Sequence, residues 1–302
     1  MTLTPLQTIA DLARAGRHEQ AVQAATAALA APRLGPARKL PLLASRIDSL
    51  LALLKLNDAQ ADASAMLALA NATQSVADEA HALACLAHVQ TRQERTEVAQ
   101  ATAAAALAAA RRSGRRELIA LALLRQAAAT FARNPADAVA PADEAAHHFA
   151  ALGQTALQGQ ALRVLAAARM SLDDSPEHRT LMQQAVALAR ASGDRGGESR
   201  AINSLYSSDP DLARSVHGLH QALRVAQDAG DLQQQNSALH NLALTYNRLG
   251  LRRRALRLMQ QSMALREAQA RPVSLLNPYT IVATLHEMLD QREAFMHTAA
   301  RV

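Results

Sequence analysis

The chain has 302 residues, half of them hydrophobic, with 3 Tyr, 3 Phe and no Trp. Ala and Leu dominate the apolar fraction; both are helix formers, so sandwiches, barrels and doubly wound sheets are poor candidates, and the length supports a sizeable core rather than global disorder. The net charge of +6, carried mostly by Arg, implies only mild attraction to polyanions, and the single cysteine, Cys85, excludes an intramolecular disulfide framework and a four-cysteine zinc site.

Taken in chain order, the sequence reads as helix–turn–helix units over about 1–35, 36–75, 76–114, 115–153, 154–193, 194–230 and 231–270, followed by a partial unit or cap at 271–302. The opening MTLTPLQTIADLARAG lacks the basic region, apolar core and cleavage site of a signal peptide. No charge-free apolar run of about 18 residues follows, so a cytoplasmic protein without membrane contact is expected. The units are marked by turns with Gly114, Gly153, Gly193 and Gly230, spaced 39, 40 and 37 residues apart. Extending the step backwards reaches Gln74 and then Gly35; extending it forwards reaches Arg271 and Pro272. A second series of small residues before the turns keeps the same step: Ala28, Ala68, Ala106, Ala145, Ala185, Ala222 and Ser262. Small residues often recur seven earlier, two turns away on the same helix face, where they let a neighbouring helix approach closely. No such unit buries its apolar stripe alone, so the units must stack.

Local signals refine the pattern. Ser175 and Pro176 read as an N-cap followed by a proline in the first turn. Pro135 and Pro141 crowd the start of the fourth unit's second helix. Asp209-Pro210 predicts a truncated first helix in the sixth unit, with the next helix starting near Pro210. The last helix is expected from about Asn277 to Leu289, with a partner from Gln291 that is cut at Val302; this leads us to expect a chain that continues.

The stretch NSALHNLALTYNRLGLRRRALRLMQQSMALREA resembles a tetratricopeptide repeat, in a long bacterial form. Leu242, Ala243 and Tyr246 occupy the large-small-large positions of its first helix, Gly250 the turn, and Ala255 and Ser262 the small positions of the second. The third unit matches through Leu86, Ala87, Ala99, Ala103 and Ala106, with Gln90 and Glu94 departing from the pattern. The resemblance covers essentially the whole chain. It implies an all-α, right-handed superhelical solenoid whose first helices line a concave groove that binds peptides or partner helices.

Catalytic motifs are absent: no GxxxxGK[ST], GxSxG, GxGxxG, HExxH or CxxC occurs. Cys85 sits in the apolar stretch HALACLAHV and reads as a buried small hydrophobe, with His81 and His88 able to share its face. His217 and His220 have metal-ligand spacing but no acidic or sulfur companion, so no metal or cofactor is expected. His147 and His148 read as surface, and the pairs Asp143-Glu144 and Asp173-Asp174 read as helix-start carboxylates suited to the helix dipole. The clusters Arg111, Arg112, Arg115, Arg116 and Arg248, Arg252, Arg253, Arg254, Arg257 read as solvated edges; with so few aromatics for stacking, nucleic acid is not the expected partner.

The groove remains. The resemblance places His240, Asn241, Leu244, Asn247 and Arg248 of the seventh unit on its concave side, flanked by Asn203 and Tyr279. Asn can hold an extended backbone through donor and acceptor, and Arg can pair a carboxylate. The only lysines, Lys39 and Lys55, lie far upstream, which argues against a lysine-built carboxylate clamp. The N-terminal units offer mostly Ala and Leu, suited to an apolar helix of a partner or of the chain's own continuation. The expected function is a non-catalytic scaffold for a protein or peptide. Two alternatives stand beside it: an N-terminal sensory module of a bacterial signalling protein, such as a nucleotide cyclase or a transcriptional regulator, and polyanion binding through the arginine edges.

Overall fold

A computed structural model describes residues 4–172, 175–267 and 276–288, together with Ala294 and Thr298. Its helices in chain order are α1 Pro5–Arg14, α2 His18–Leu29, α3 Pro36–Ala52, α4 Leu56–Thr73, α5 Val76–Arg92, α6 Thr96–Ser113, α7 Arg116–Phe131, α8 Pro135–Ala151, α9 Thr155–Met170, α10 Ser175–Ser192, α11 Arg195–Ser207, α12 Leu212–Asp228, α13 Leu232–Arg248, α14 Arg252–Glu267 and α15 Leu276–Met288. No strand occurs among the described residues. Each helix packs on the next, and the odd-numbered helices also touch one another in series from α1 to α13. The result is an all-α solenoid of hairpins, with the odd helices forming the inner layer and the even helices the outer.

The crossings are lined by the smallest side chains. Ala21, Ala25, Ala59, Ala63, Ala99, Ala103, Ala138 and Ala142 are fully buried, each on an outer helix. Larger groups fill the spaces between them, among them Met66, Phe149, Met182 and Met259. Polar clamps supplement this packing. Arg46 of α3 grips Asp62 of α4 with two hydrogen bonds of 2.7 and 2.6 Å and donates a third, of 2.8 Å, to Thr26 of α2. This fork geometry gives an ion pair both strength and register.

Most hairpin-to-hairpin turns pass through one left-handed residue: Arg33, Gln74, Gly114, Gly153, Gly193 and Gly230. The first mark is thus Arg33 rather than Gly35, which has extended backbone and caps α3. Arg33 and Gln74 adopt this conformation at a cost of roughly 1–2 kcal/mol. Pro141 lies inside α8, so Asp143 and Glu144 sit in mid-helix rather than at its start; there they pair along the helix with His147 and His148. The α10 capping residues, Asp173-Asp174, the turn near Pro272 and the segment from Gln291 lie outside the described residues or side chains. α11 stops at Ser207. In the turn that follows, the buried Asp209 accepts from Arg179, Arg214 and the Asp211 amide.

The solenoid coils back on itself. α13 returns to touch α3, and the α1–α2 turn meets the α12–α13 turn. A Cβ on Gly16 would lie 2.4 Å from the Ala229 carbonyl carbon, and one on Gly230 would lie 2.4 Å from the Gly16 oxygen. Only two glycines in left-handed backbone allow chains to abut this closely. The described hairpins therefore enclose a lumen. Phe149, fully buried in the central apolar cluster, tests how this packing is sustained: Phe149→Ala is expected to cost about 3–5 kcal/mol in a urea unfolding titration.

Candidate functional site

The inner helices bring their polar side chains to the lumen. A cavity of about 280 Å³ is bounded by Asp48 and Ser49 of α3, His88 and Arg92 of α5, Arg125 of α7, Gln160 of α9, Arg200 of α11 and Asp231 before α13. A recess of about 10 Å³ lined by Arg163 adjoins it, sharing Gln160 and Arg200 as walls. Successive inner helices α5, α7, α9 and α11 thus present one arginine each: Arg92, Arg125, Arg163 and Arg200.

These cations are not neutralised evenly. Asp194 and Asp231 spend oxygens on helix N-termini, accepting from the Gly197 amide at 2.7 Å and the Gln234 amide at 2.9 Å. Arg14 pairs with Asp11, and Arg195 pairs with Glu198 and Asp228. Arg125 and Arg163 each keep a buried Nε without a hydrogen-bond partner. An unpaired buried guanidinium is costly. Burial, then the like charges of Arg200 and Arg92, push Arg163 down to about 9. Burial likewise lowers Arg125, with Asp48 opposing. Arg163 therefore remains cationic at neutral pH.

The other titratable groups respond to the same surroundings. Asp48 is exposed to the cavity, yet burial within the ring raises its pKa, with Arg125 and Arg200 opposing and Asp194 adding. Burial, reinforced by Arg125, Arg92, Arg200 and Arg163, holds His88 well below the usual imidazole range. Burial also lowers His81 and His18, although Asp78 opposes it at the first and Asp231 and Asp194 oppose it at the second. Cys85 is half-buried rather than buried and packs against the apolar cluster of the second and third hairpins. Burial pushes its thiol up to about 12, so it is no thiolate nucleophile at neutral pH.

The seven residues that the sequence assigns to the groove fall on the last described hairpins. Asn241 donates to Oδ1 of the buried Asn203 at 3.2 Å, tying α13 to α11. His240, Leu244 and Asn247 are half-buried and Arg248 is exposed. Leu244 packs on the C-terminal apolar cluster. The side chain of Tyr279 lies outside the described residues. Asn241 stands as far along α13 as Cys85 stands along α5, and Leu244 matches His88 in the same way. His220, weighed above for metal, instead meets the Tyr246 hydroxyl at 3.0 Å. No group of three His, Cys, Asp or Glu among the described residues is placed to hold a metal ion. No helix among them is long and apolar enough to cross a membrane.

Sequence reasoning missed the lumen arginines. The signal was present: Arg125 interrupts LALLRQAAA and Arg163 interrupts ALRVLAAA, each a lone charge within an apolar inner helix. The closing of the ring, which turns these positions into a cavity wall, was not visible.

The architecture is that of a tetratricopeptide-repeat solenoid. No protein-family model matches the chain, and no curated protein sequence does either. Solved structures do. A Rap protein complexed with Competence and Sporulation Factor has a TM-score of 0.65 at 12% identity, over 98% of this chain and 95% of that one. The anaphase-promoting complex hetero-tetramer Cut9–Hcn1 has a TM-score of 0.66 at 13% identity, over 98% of this chain and 51% of that one. A signal-transduction ATPase with a tetratricopeptide repeat sensor, from Pyrococcus horikoshii, has a TM-score of 0.52 at 10% identity, over 95% and 53%. At these identities the likeness is one of fold.

The lowered histidines give a pH dependence of known sign. The folded chain disfavours the proton on His88, so the unfolded chain takes up more protons as pH falls below about 6.5. Stability is therefore complete above that value and declines beneath it. The midpoint of thermal unfolding is expected to drop between pH 7.5 and 5.5, and His88→Gln is expected to shrink that drop.

Proposed function

We propose that the chain is a non-catalytic scaffold that holds a peptide or protein segment on the inner surface of its last hairpins. The observation that carries this reading is on α13, where Leu244 and Arg248 hold the positions that His88 and Arg92 hold on α5 at the lumen, with His240, Asn241 and Asn247 beside them on the same helix. Asn203, on α11, accepts from Asn241 and flanks the strip on one side, and the repeat pattern assigns Tyr279 as the flanking residue on the other. Such a strip offers amide donors and acceptors to an extended backbone, an apolar step at Leu244, and a guanidinium for a carboxylate. The similarity to a Rap protein solved with Competence and Sporulation Factor, and to Cut9 solved with Hcn1, supports a binding role.

A second reading is an input module whose occupied groove regulates an output domain. The similarity to a signal-transduction ATPase with a tetratricopeptide repeat sensor favours it; reading the gene beyond the codon for Val302 tests it. The third, polyanion binding along the arginine edges, has less support: Arg112 and Arg115 already pair with Glu79 and Glu117, and Arg254 lies over the Tyr246 ring.

The groove is tested by selecting peptides from a displayed library on the purified chain. Replacing Asn241, Asn247 and Arg248 together by Ala is expected to weaken the selected peptides roughly ten-fold or more, as loss of interface anchors does. Its cost in stability is expected to be about 1–3 kcal/mol, because Asn203 loses its donor. Unchanged affinity would place the binding surface elsewhere.

A further inference from the structure

We infer that the lumen holds a second site, separate from the α13 groove: a pocket for a small ligand carrying a carboxylate or phosphate group, held in the cavity by Arg125, Arg200 and Gln160, with Arg163 in the recess that adjoins it. Three observations converge on it. Arg125 and Arg163 each keep a buried Nε without a partner, and a guanidinium in that condition offers a fork suited to two oxygens of one anion. The carboxylates nearest the cavity do not satisfy them: Asp194 and Asp231 cap α11 and α13, and Asp48 forms no ion pair with either arginine. The arginines stand on the stacked inner helices α7, α9 and α11, and the return of the solenoid brings Asp48 of α3 and Asp231 before α13 to the same cavity wall.

The size of the space sets the class of occupant. About 280 Å³ lies at the small end of ligand pockets, which suits a compact anion and excludes a partner helix. Asp48, which faces the same space, adds a carboxyl group as a hydrogen-bonding partner for the rest of the ligand. His88, kept neutral beside the arginines, supplies a ring nitrogen for hydrogen bonding rather than a further charge.

The test titrates the full chain with inorganic pyrophosphate and with citrate, which carry the oxyanion as phosphate and as carboxylate, and follows binding by calorimetry. At least one is expected to bind saturably with a dissociation constant below the millimolar range, and the stronger of the two names the chemistry. The double variant Arg125→Gln, Arg163→Gln is expected to weaken that binding at least ten-fold. The edge variant Arg111→Gln, Arg116→Gln, at exposed positions, is expected to leave it within two-fold. The double variant is also expected to unfold at a higher temperature than the unliganded parent, since two uncompensated charges leave the interior. Arg125→Lys preserves the charge without the fork, is a milder change should the double variant not fold, and is expected to weaken binding several-fold. Absence of saturable binding by both anions, or equal weakening in the lumen and edge variants, overturns the pocket. The Asn241, Asn247, Arg248 variant is expected to bind the anion as the parent does, so failure of the groove and failure of the pocket give different results.

Discussion

Everything in this molecule depends on alanine at the helix crossings. A hairpin of two Ala- and Leu-rich helices has too little side-chain volume to make a core of its own, so each hairpin is completed by the next. Short side chains let helices approach, since interaxial distance follows the residues at the contact. Ala99 and Ala103, fully buried on α6, and Ala138 and Ala142 on α8 show the pattern. With so few aromatics available, Phe149 and a handful of methionines take the larger gaps. The same composition that makes the walls thin leaves the inner faces free to carry polar groups.

Those inner faces divide into two regions. From α3 to α11 they line a shared cavity in which burial dominates the electrostatics: arginines are pushed down, Asp48 and Cys85 up, and His88 is kept neutral. Toward its C-terminal end α13 carries the half-buried amides of Asn241 and Asn247 and the exposed guanidinium of Arg248. Perturbed ionisable groups gather where a fold has work other than its own stability to do, and here they gather in the enclosed half. The arginine edges of the outer turns belong to neither region. At the first of them Arg112 and Arg115 pair with the neighbouring carboxylates Glu79 and Glu117.

The repeat was legible because its signal is local. Gly114, Gly153, Gly193 and Gly230 mark the turns by composition, and all four adopt the left-handed backbone that a helix-ending turn needs. Arg33 makes the same turn without glycine, which is why the step landed on Gly35, two residues late. Glu94, a departure from the family pattern, also takes the left-handed conformation between α5 and α6. The early stop of α11 followed from Asp209-Pro210. Tertiary closure left no such trace. Neither Gly16 nor Gly230 announces a partner across the ring, and Asp48, Arg125 and Arg200 become neighbours only through the superhelical path. The N-terminal units, read from sequence as offering mostly Ala and Leu, for this reason contribute charged walls to the lumen.

The contact between Gly16 and Gly230 changes the mechanics of the whole chain. An open stack of repeats behaves like a spring, in which the end hairpin frays independently and each repeat feels only its neighbours. Here the first hairpin is fastened to the sixth and seventh, so strain at either is shared around a loop. Deleting an internal repeat from a spring merely shortens it; deleting one here would leave the two glycine turns unable to meet. The number of repeats between them is thus fixed by circumference, a constraint on insertion and deletion that no single helix of the chain reveals.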